Sequence, residues 1–266
     1  MSDLIRGCRR PILFANSEWE TDFVRIETMD VSGDTTLYRL EELQTVDDVF
    51  AVSGETMRAH KGRSVVRLNV DGKTHFLKRF WLAPSQLFKR HVRRGFHELK
   101  IIDWLNAHGF AGPKVVRRGW SGVAALRLRM YFLMEEIPGE LPLEAAWATH
   151  RDRRDPLLHA LASFSARLHN AGFIHTDFSE RHILVGLDKA AWTFRLIDVE
   201  RASVGRVADT RVGDDLATLS ASVMNERLRK KLRTDFLDDY ATQREYWPAD
   251  YPVRALVEKS KPTKSF

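Results

Sequence analysis

The sequence predicts an α+β fold in two lobes, a strand-rich N-lobe over residues 1–136 and a helix-rich C-lobe over residues 137–266. Three observations carry that reading. A hairpin pattern is centred on Asp71-Gly72, helical periodicity dominates beyond Pro142, and a proline- and glycine-containing stretch separates the two regimes.

The elements follow in order. SVVRLNV, Asp71-Gly72 and KTHFLKRF read as a β-hairpin in which Val66, Leu68 and Val70 alternate toward one face. Asp-Gly suits a type I′ turn, whose two central residues both need positive φ. LFKRHVRRGFHELKIIDWLNAHGF reads as a helix with Phe96, Leu99, Ile102 and Leu105 as its core stripe and Gly109 near its stop. RLRMYFLMEE returns to strand, being rich in aromatic and aliphatic residues. IPGELP is the linker, and DPLLHALASFSARLHNAG beyond it places Leu157, Leu161, Phe164 and Leu168 on one helical face. Asp155 and Pro156 suit that helix's start and Gly172 its C-cap. HILVG and WTFRLIDV are short extended runs, after which helix dominates.

A hydrophobic fraction of 44% with 29% charged residues fits a soluble globular protein. No apolar run approaches the roughly 18 residues of a membrane span, and the polar start lacks a signal-peptide core. Cys8 is the single cysteine, which excludes an intrachain disulfide framework or a Cys-rich metal site, and the cytoplasm is the expected compartment. The net charge of +6 suggests an anionic partner: nucleic acid, anionic lipid or a phosphorylated glycan. Its basic runs are FKRHVRRGFH, RDRRD and NERLRKKLR, each of which also reads as a solvated helix face. LNAHGFAGPKVVRR has no matching helix-turn-helix pair and there is no zinc motif, so no nucleic-acid partner is expected.

The chemistry concentrates in HTDFSERHILV (175–185) and RLIDVERA (195–202). A lone Asp at a turn is most often a cap or an Asx-turn. Phosphoryl transfer, however, needs a cation on the phosphates, carboxylates for magnesium and a base that orients the acceptor. Asp177 follows a helix and a tight turn, where an acid can approach an acceptor hydroxyl. Asp198 ends an apolar strand, so its charge needs a partner such as a metal. Lys78 lies toward the end of a hairpin strand, and Glu98 is placed to pair with it from the following helix. Solvated surface charges are the rival reading for both, and a satisfied core histidine is the rival for His182. His175 reads as a brace of its loop, and His91 and His97 as surface residues.

HTDFSERHILV followed by LIDVERA resembles the catalytic and metal-binding loops of protein-kinase-like folds. More closely, it is similar to the lipopolysaccharide core kinases, the heptose and Kdo kinases of Gram-negative bacteria. In those enzymes a His-x-Asp loop is followed five residues later by His or Asn, and the second motif relaxes to Ile-Asp-x-x-Arg. SGETMRAHKGRSVVRLNVDGKTHFLKRF, GFHELKIIDWLNAHGF and GDDLATLSASV resemble the nucleotide-covering hairpin, the Glu-bearing helix and a bracing helix of the same family. The resemblance implies Asp177 as catalytic base, Asp198 and His182 as magnesium ligands, and Lys78 on the nucleotide phosphates with Glu98 as its partner. It implies a structural role for Asp215 and a hinge after Glu135 and Glu136 whose backbone holds adenine. Gly54 stands as the remnant of a glycine-rich loop, since GxGxxG is absent. The activity implied is phosphorylation of a heptose or Kdo hydroxyl of the lipopolysaccharide inner core, using ATP and Mg2+. It would act at the cytoplasmic face of the inner membrane, with peripheral contact to anionic lipid. A nucleotide-binding scaffold without turnover, motivated by the degraded loop and His182, is the alternative from another class. A kinase for a protein or small-molecule acceptor is the nearer one.

Overall fold

A computed structural model describes residues 37–60, 62–81, 91–122, 129–248 and 250–263. Six strands build the first sheet: β1 (Leu37–Tyr38), β2 (Glu55–His60), β3 (Arg63–Val70), β4 (Lys73–Trp81), β5 (Lys114–Ser121) and β6 (Arg129–Glu135). Their order is β1-β3-β4-β6-β5, with β2 also paired to β3. Asp71 and Gly72 take φ of 50° and 76°, the left-handed pair that a type I′ turn demands. Val66, Leu68 and Val70 are buried on one sheet face with Leu77 and Leu133. Over that face lies α1 (Val46–Ala51), started by a reciprocal capping box between Thr45 and Asp48.

The other face packs against α2 (His91–Ala107), where Leu99, Ile102 and Leu105 are buried as their spacing predicts. Phe96 departs from that expectation: it is exposed and meets Trp120 edge-on at 5.8 Å. The reason is its neighbour. Gly95 approaches β4 and β6 so closely that an added Cβ would lie 2.6 Å from Met130 Sδ. The helix therefore contacts the sheet along Val92, Gly95, Leu99 and Ile102, which turns Phe96 outward.

Past Glu135 the chain crosses 136–140 into β7 (Leu141–Pro142), α3 (Leu143–Thr149) and α4 (Arg154–Asn170). The later helices are α5 (Asp209–Ser222), α6 (Glu226–Arg233), α7 (Asp235–Thr242) and α8 (Val253–Lys259). Leu157, Leu161, Phe164 and Leu168 are all buried. Gly172 has φ of 85°, and a Cβ there would stand 2.4 Å from the Gly205 carbonyl, so only glycine can end α4 this way. One hydrophobic cluster joins Phe80, Leu99, Leu105 and Phe132 to Leu161, Phe164 and Leu196. The composition changes near residue 137, but the packing is continuous across it.

The basic runs fare differently in three dimensions. NERLRKKLR becomes α6, with Asn225 as its N-cap and Leu228 and Leu232 facing inward. Lys231 spends its charge on Asp155 at 2.9 Å and Asp235 at 2.8 Å. LNAHGFAGPKVVRR forms the end of α2 and the start of β5, so a second helix does not follow where a helix-turn-helix would need one. Among the described residues no helix is long and apolar enough to cross a membrane.

Candidate active site

Strand pairing explains how Asp177 and Asp198 meet. The segment 175–182 is flanked by β8 (Phe173–Ile174) and β9 (Ile183–Asp188), and β9 pairs antiparallel with β10 (Ala191–Leu196). Ile183 stands opposite Leu196, and one residue further the Ile197 N–H donates to the His182 carbonyl at 3.0 Å. Asp198 therefore lands beside His182 and the loop that carries Asp177.

His182 connects the two acids. Its Nδ1 is 2.9 Å from the Asp177 carbonyl, which can only accept, so Nδ1 carries the hydrogen, and in the neutral ring Nε2 has the lone pair. Nδ1 lies 3.8 Å from Asp177 Oδ2, and Nε2 faces Asp198 Oδ2 at 3.9 Å. Two electron-pair donors confronting each other across that gap have the chemistry of a cation site. Among the described residues no group of three or more His, Cys, Asp or Glu side chains is arranged around a metal position, so this pair is what the site offers. Asp198 also adopts left-handed φ/ψ of 54° and 49°, a conformation a non-glycine residue holds only where its surroundings enforce it.

The loop before it is strained and braced. Thr176 has φ of 64°, an outlier for a β-branched residue. The buried Asp215 carboxylate accepts from the His175 N–H at 2.7 Å and the Thr176 N–H at 2.8 Å. Thr176 Oγ1 donates to the Arg201 carbonyl at 3.0 Å. Behind Asp215 stand His169 Nε2 at 3.5 Å and, bonded to that ring's other nitrogen at 2.7 Å, the Tyr240 hydroxyl. Asp215 thus has the structural role expected of it. His175 braces too: its Nε2 donates to the Ile197 carbonyl at 3.1 Å, and burial pushes its pKa below the ordinary imidazole value. Its ring is stacked on His182 at 5.7 Å.

Lys78 and Glu98 form the pair that their order suggested. Lys78 Nζ is 2.7 Å from Glu98 Oε1 and 3.5 Å from Asp198 Oδ1. Burial works against the lysine charge, but Glu98 and Asp198 together hold its pKa above the usual value. Burial pushes the Glu98 carboxyl up, with Lys78 pulling against it. For Asp198 burial pushes the carboxyl up, but the Lys78 ammonium beside it holds it below the ordinary range.

These groups line a cleft of about 800 Å³, together with Met134 of β6 and Pro138 of the crossing segment. That volume lies within the range of small-molecule and cofactor sites. Glu135 lines it as well, but its carboxylate is 2.6 Å from Lys114 and 3.3 Å from Lys73. Those hydrogen bonds, Lys114 first, outweigh desolvation and hold it below the usual carboxylate range, so the carboxylate is committed to the two lysines. Gly54 does not line the cleft. It lies where β2 begins, and an added Cβ would come within 2.6 Å of the Arg67 carbonyl, so the glycine serves packing on β3. The β2–β3 ladder closes instead at the His60 and Arg63 pair. His97 is also more than a surface residue, since its Nε2 donates to the Ala202 carbonyl at 2.7 Å. Four cleft residues carry no local sequence signal: Arg63, Glu140, Arg195 and Glu200. Glu140 and Arg195 pair at 2.8 Å and tie the crossing segment to β10.

A model of the lipopolysaccharide kinase (Kdo/WaaP) family matches residues 47–240. This chain belongs to the lipopolysaccharide kinase (Kdo/WaaP) family. It is similar to the lipopolysaccharide core heptose(I) kinase WaaP of Pseudomonas aeruginosa, with 30% identity over 210 residues, covering 72% of this chain and 78% of the relative. A solved structure of WaaP in complex with acyl carrier protein aligns at a TM-score of 0.56 and 23% identity, covering 80% of this chain and 85% of that one. The structural likeness establishes the two-lobed kinase fold, and family membership makes the chain an ATP-using phosphotransferase.

Proposed function

We propose that this kinase transfers the γ-phosphoryl group of ATP to a heptose or Kdo hydroxyl of the lipopolysaccharide inner core, with Asp177 as base. One observation carries the reading: a single cleft gathers the Lys78–Glu98 pair, Asp198 and His182, and His182 in turn holds the Asp177 loop. Phosphoryl transfer asks for positioning and charge stabilisation more than for covalent help from the protein. Lys78, held charged by two carboxylates, supplies the cation for the phosphates. Glu136 gives its N–H to the Thr74 carbonyl at 2.9 Å and Pro138 has none, so the Ile137 N–H between them is the donor assigned to adenine. Asp177 takes the proton of the acceptor hydroxyl as its oxygen attacks the γ-phosphorus. The bond to the β,γ-bridging oxygen breaks and ADP departs.

Asp198 Oδ2 and His182 Nε2 fit a bound cation, and they would hold Mg2+. When bound, the ion neutralises charge on the phosphate oxygens. The heptose(I) acceptor of the Pseudomonas aeruginosa relative supports a core sugar as substrate. A glycolipid acceptor and a net charge of +6 support peripheral association with anionic lipid at the cytoplasmic face of the inner membrane. Co-sedimentation with anionic vesicles at low salt, released at high salt, is expected; no binding at low salt would contradict it.

The test of the whole reading uses purified protein, labelled ATP and a core lipopolysaccharide lacking its phosphates. Label on a heptose or Kdo residue is the expected result. Transfer to protein alone, or to no acceptor, would count against it.

A further inference from the structure

A glycine-rich loop grips a nucleotide by letting backbone N–H groups come close to the phosphates. The hairpin between β2 and β3 lacks those glycines, and something else must fix it over the cleft. His60 and Arg63 face each other at the end of the ladder. Gly62 has φ of 86°, and its carbonyl accepts from the Trp81 N–H at 2.9 Å, which ties the tip to the end of β4.

Arg63 reaches out of the sheet altogether. Its Nη1 spans both Glu200 oxygens, at 3.0 and 2.8 Å. Glu200 lies two residues past Asp198, in the short 3-10 turn Val199–Arg201, and both partners line the cleft. Their side chains are only 22% and 12% exposed, so solvent screens the pair weakly. The same turn is held from α2, where Arg94 Nη1 is 4.0 Å from Glu200 Oε1 and His97 donates to Ala202. A cation at the base of the hairpin tip therefore grips the segment that carries the metal carboxylate.

We infer that Arg63 and Glu200 are positioning residues, forming a latch that holds the hairpin closed over the triphosphate in place of a glycine-rich loop. The inference rests on the kinase reading of the cleft. Arg63 acts through Glu200, not by touching phosphate, and that distinction sets the test. If the latch works, loss of either partner loosens the lid. If Arg63 were a direct phosphate ligand, freeing it from Glu200 would strengthen nucleotide binding.

Calorimetry with a non-hydrolysable ATP analogue and magnesium, and separately with adenosine, distinguishes these. Arg63→Ala and Glu200→Gln should each weaken the analogue about tenfold, an ordinary magnitude for coupling between groups. Adenosine, which has no phosphates for the lid to enclose, should bind unchanged. The exchanged pair Arg63→Glu with Glu200→Arg should recover most of the analogue affinity. In turnover, KM for ATP should rise in the single variants while kcat is nearly held. Glu200→Gln that binds the analogue as well as or better than wild type would overturn the latch. So would an exchanged pair no better than the single variants, or an equal loss of adenosine binding. Wild-type protein that binds neither ligand would overturn the kinase reading and the latch together. Normal wild-type binding with insensitive variants would overturn the latch alone.

Discussion

Asp177→Ala should lower kcat for sugar phosphorylation by roughly 100- to 10,000-fold while leaving nucleotide affinity and thermal stability close to wild type. The expectation follows from where the residue sits. The strained turn at Thr176 is held by Asp215, which accepts from the His175 and Thr176 N–H groups and is untouched by the substitution. His182 is anchored to the Asp177 carbonyl, which the substitution retains. The variant thus keeps the loop and loses the proton acceptor. Asp177→Asn, which preserves shape but not basicity, should be nearly as slow. A rate within threefold of wild type in either variant would remove Asp177 from the role of base.

Lys78→Met should cost stability as well as activity. Glu98 is fully buried, Lys78 holds its Oε1 at 2.7 Å, and its Oε2 has no hydrogen-bond partner among the described residues. Removing one member of a buried pair strands the other charge, which typically costs about 3–5 kcal/mol. The pH dependence has a definite sign. Without Lys78 the buried Glu98 carboxyl keeps a folded-state pKa above its unfolded value, so the folded form binds the extra proton. Its stability is therefore fully present below the ordinary glutamate pKa of about 4.3 and lost as pH rises through the folded value. Urea unfolding of Lys78→Met should show a deficit that grows between acid and neutral pH. The double variant Lys78→Met with Glu98→Gln should flatten that slope and regain part of the loss. A Lys78→Met protein as stable as wild type at neutral pH would contradict the buried pair.

Local chemistry explains what was legible in the sequence. The turn at Asp71-Gly72 and the α4 stripe of Leu157, Leu161, Phe164 and Leu168 are encoded within a few residues. The order Lys78, Glu98, Asp177, Asp198 was readable because each acid or base adjoins an apolar run that fixes its element. What escaped depends on contacts between distant segments. Arg63 at a hairpin tip looks like any solvated arginine until β3 and the turn after Asp198 are brought together. Phe96 fits a core stripe by spacing, yet Gly95 decides which line of the helix meets the sheet. Gly54 looked like a loop remnant because glycine at a strand start serves either flexibility or close packing. Only the nearness of the Arg67 carbonyl shows that it is packing. The division near residue 137 is visible in composition, but the cluster that runs from Phe80 to Leu196 ignores it.

The central claim is that the cleft phosphorylates a core sugar. Mass spectrometry of lipopolysaccharide core tests it most directly, in cells carrying the wild-type chain, the Asp177→Ala chain or neither. The account predicts one phosphate on a defined heptose or Kdo residue with wild type, absent in the other two. A core with identical phosphorylation in all three would contradict it.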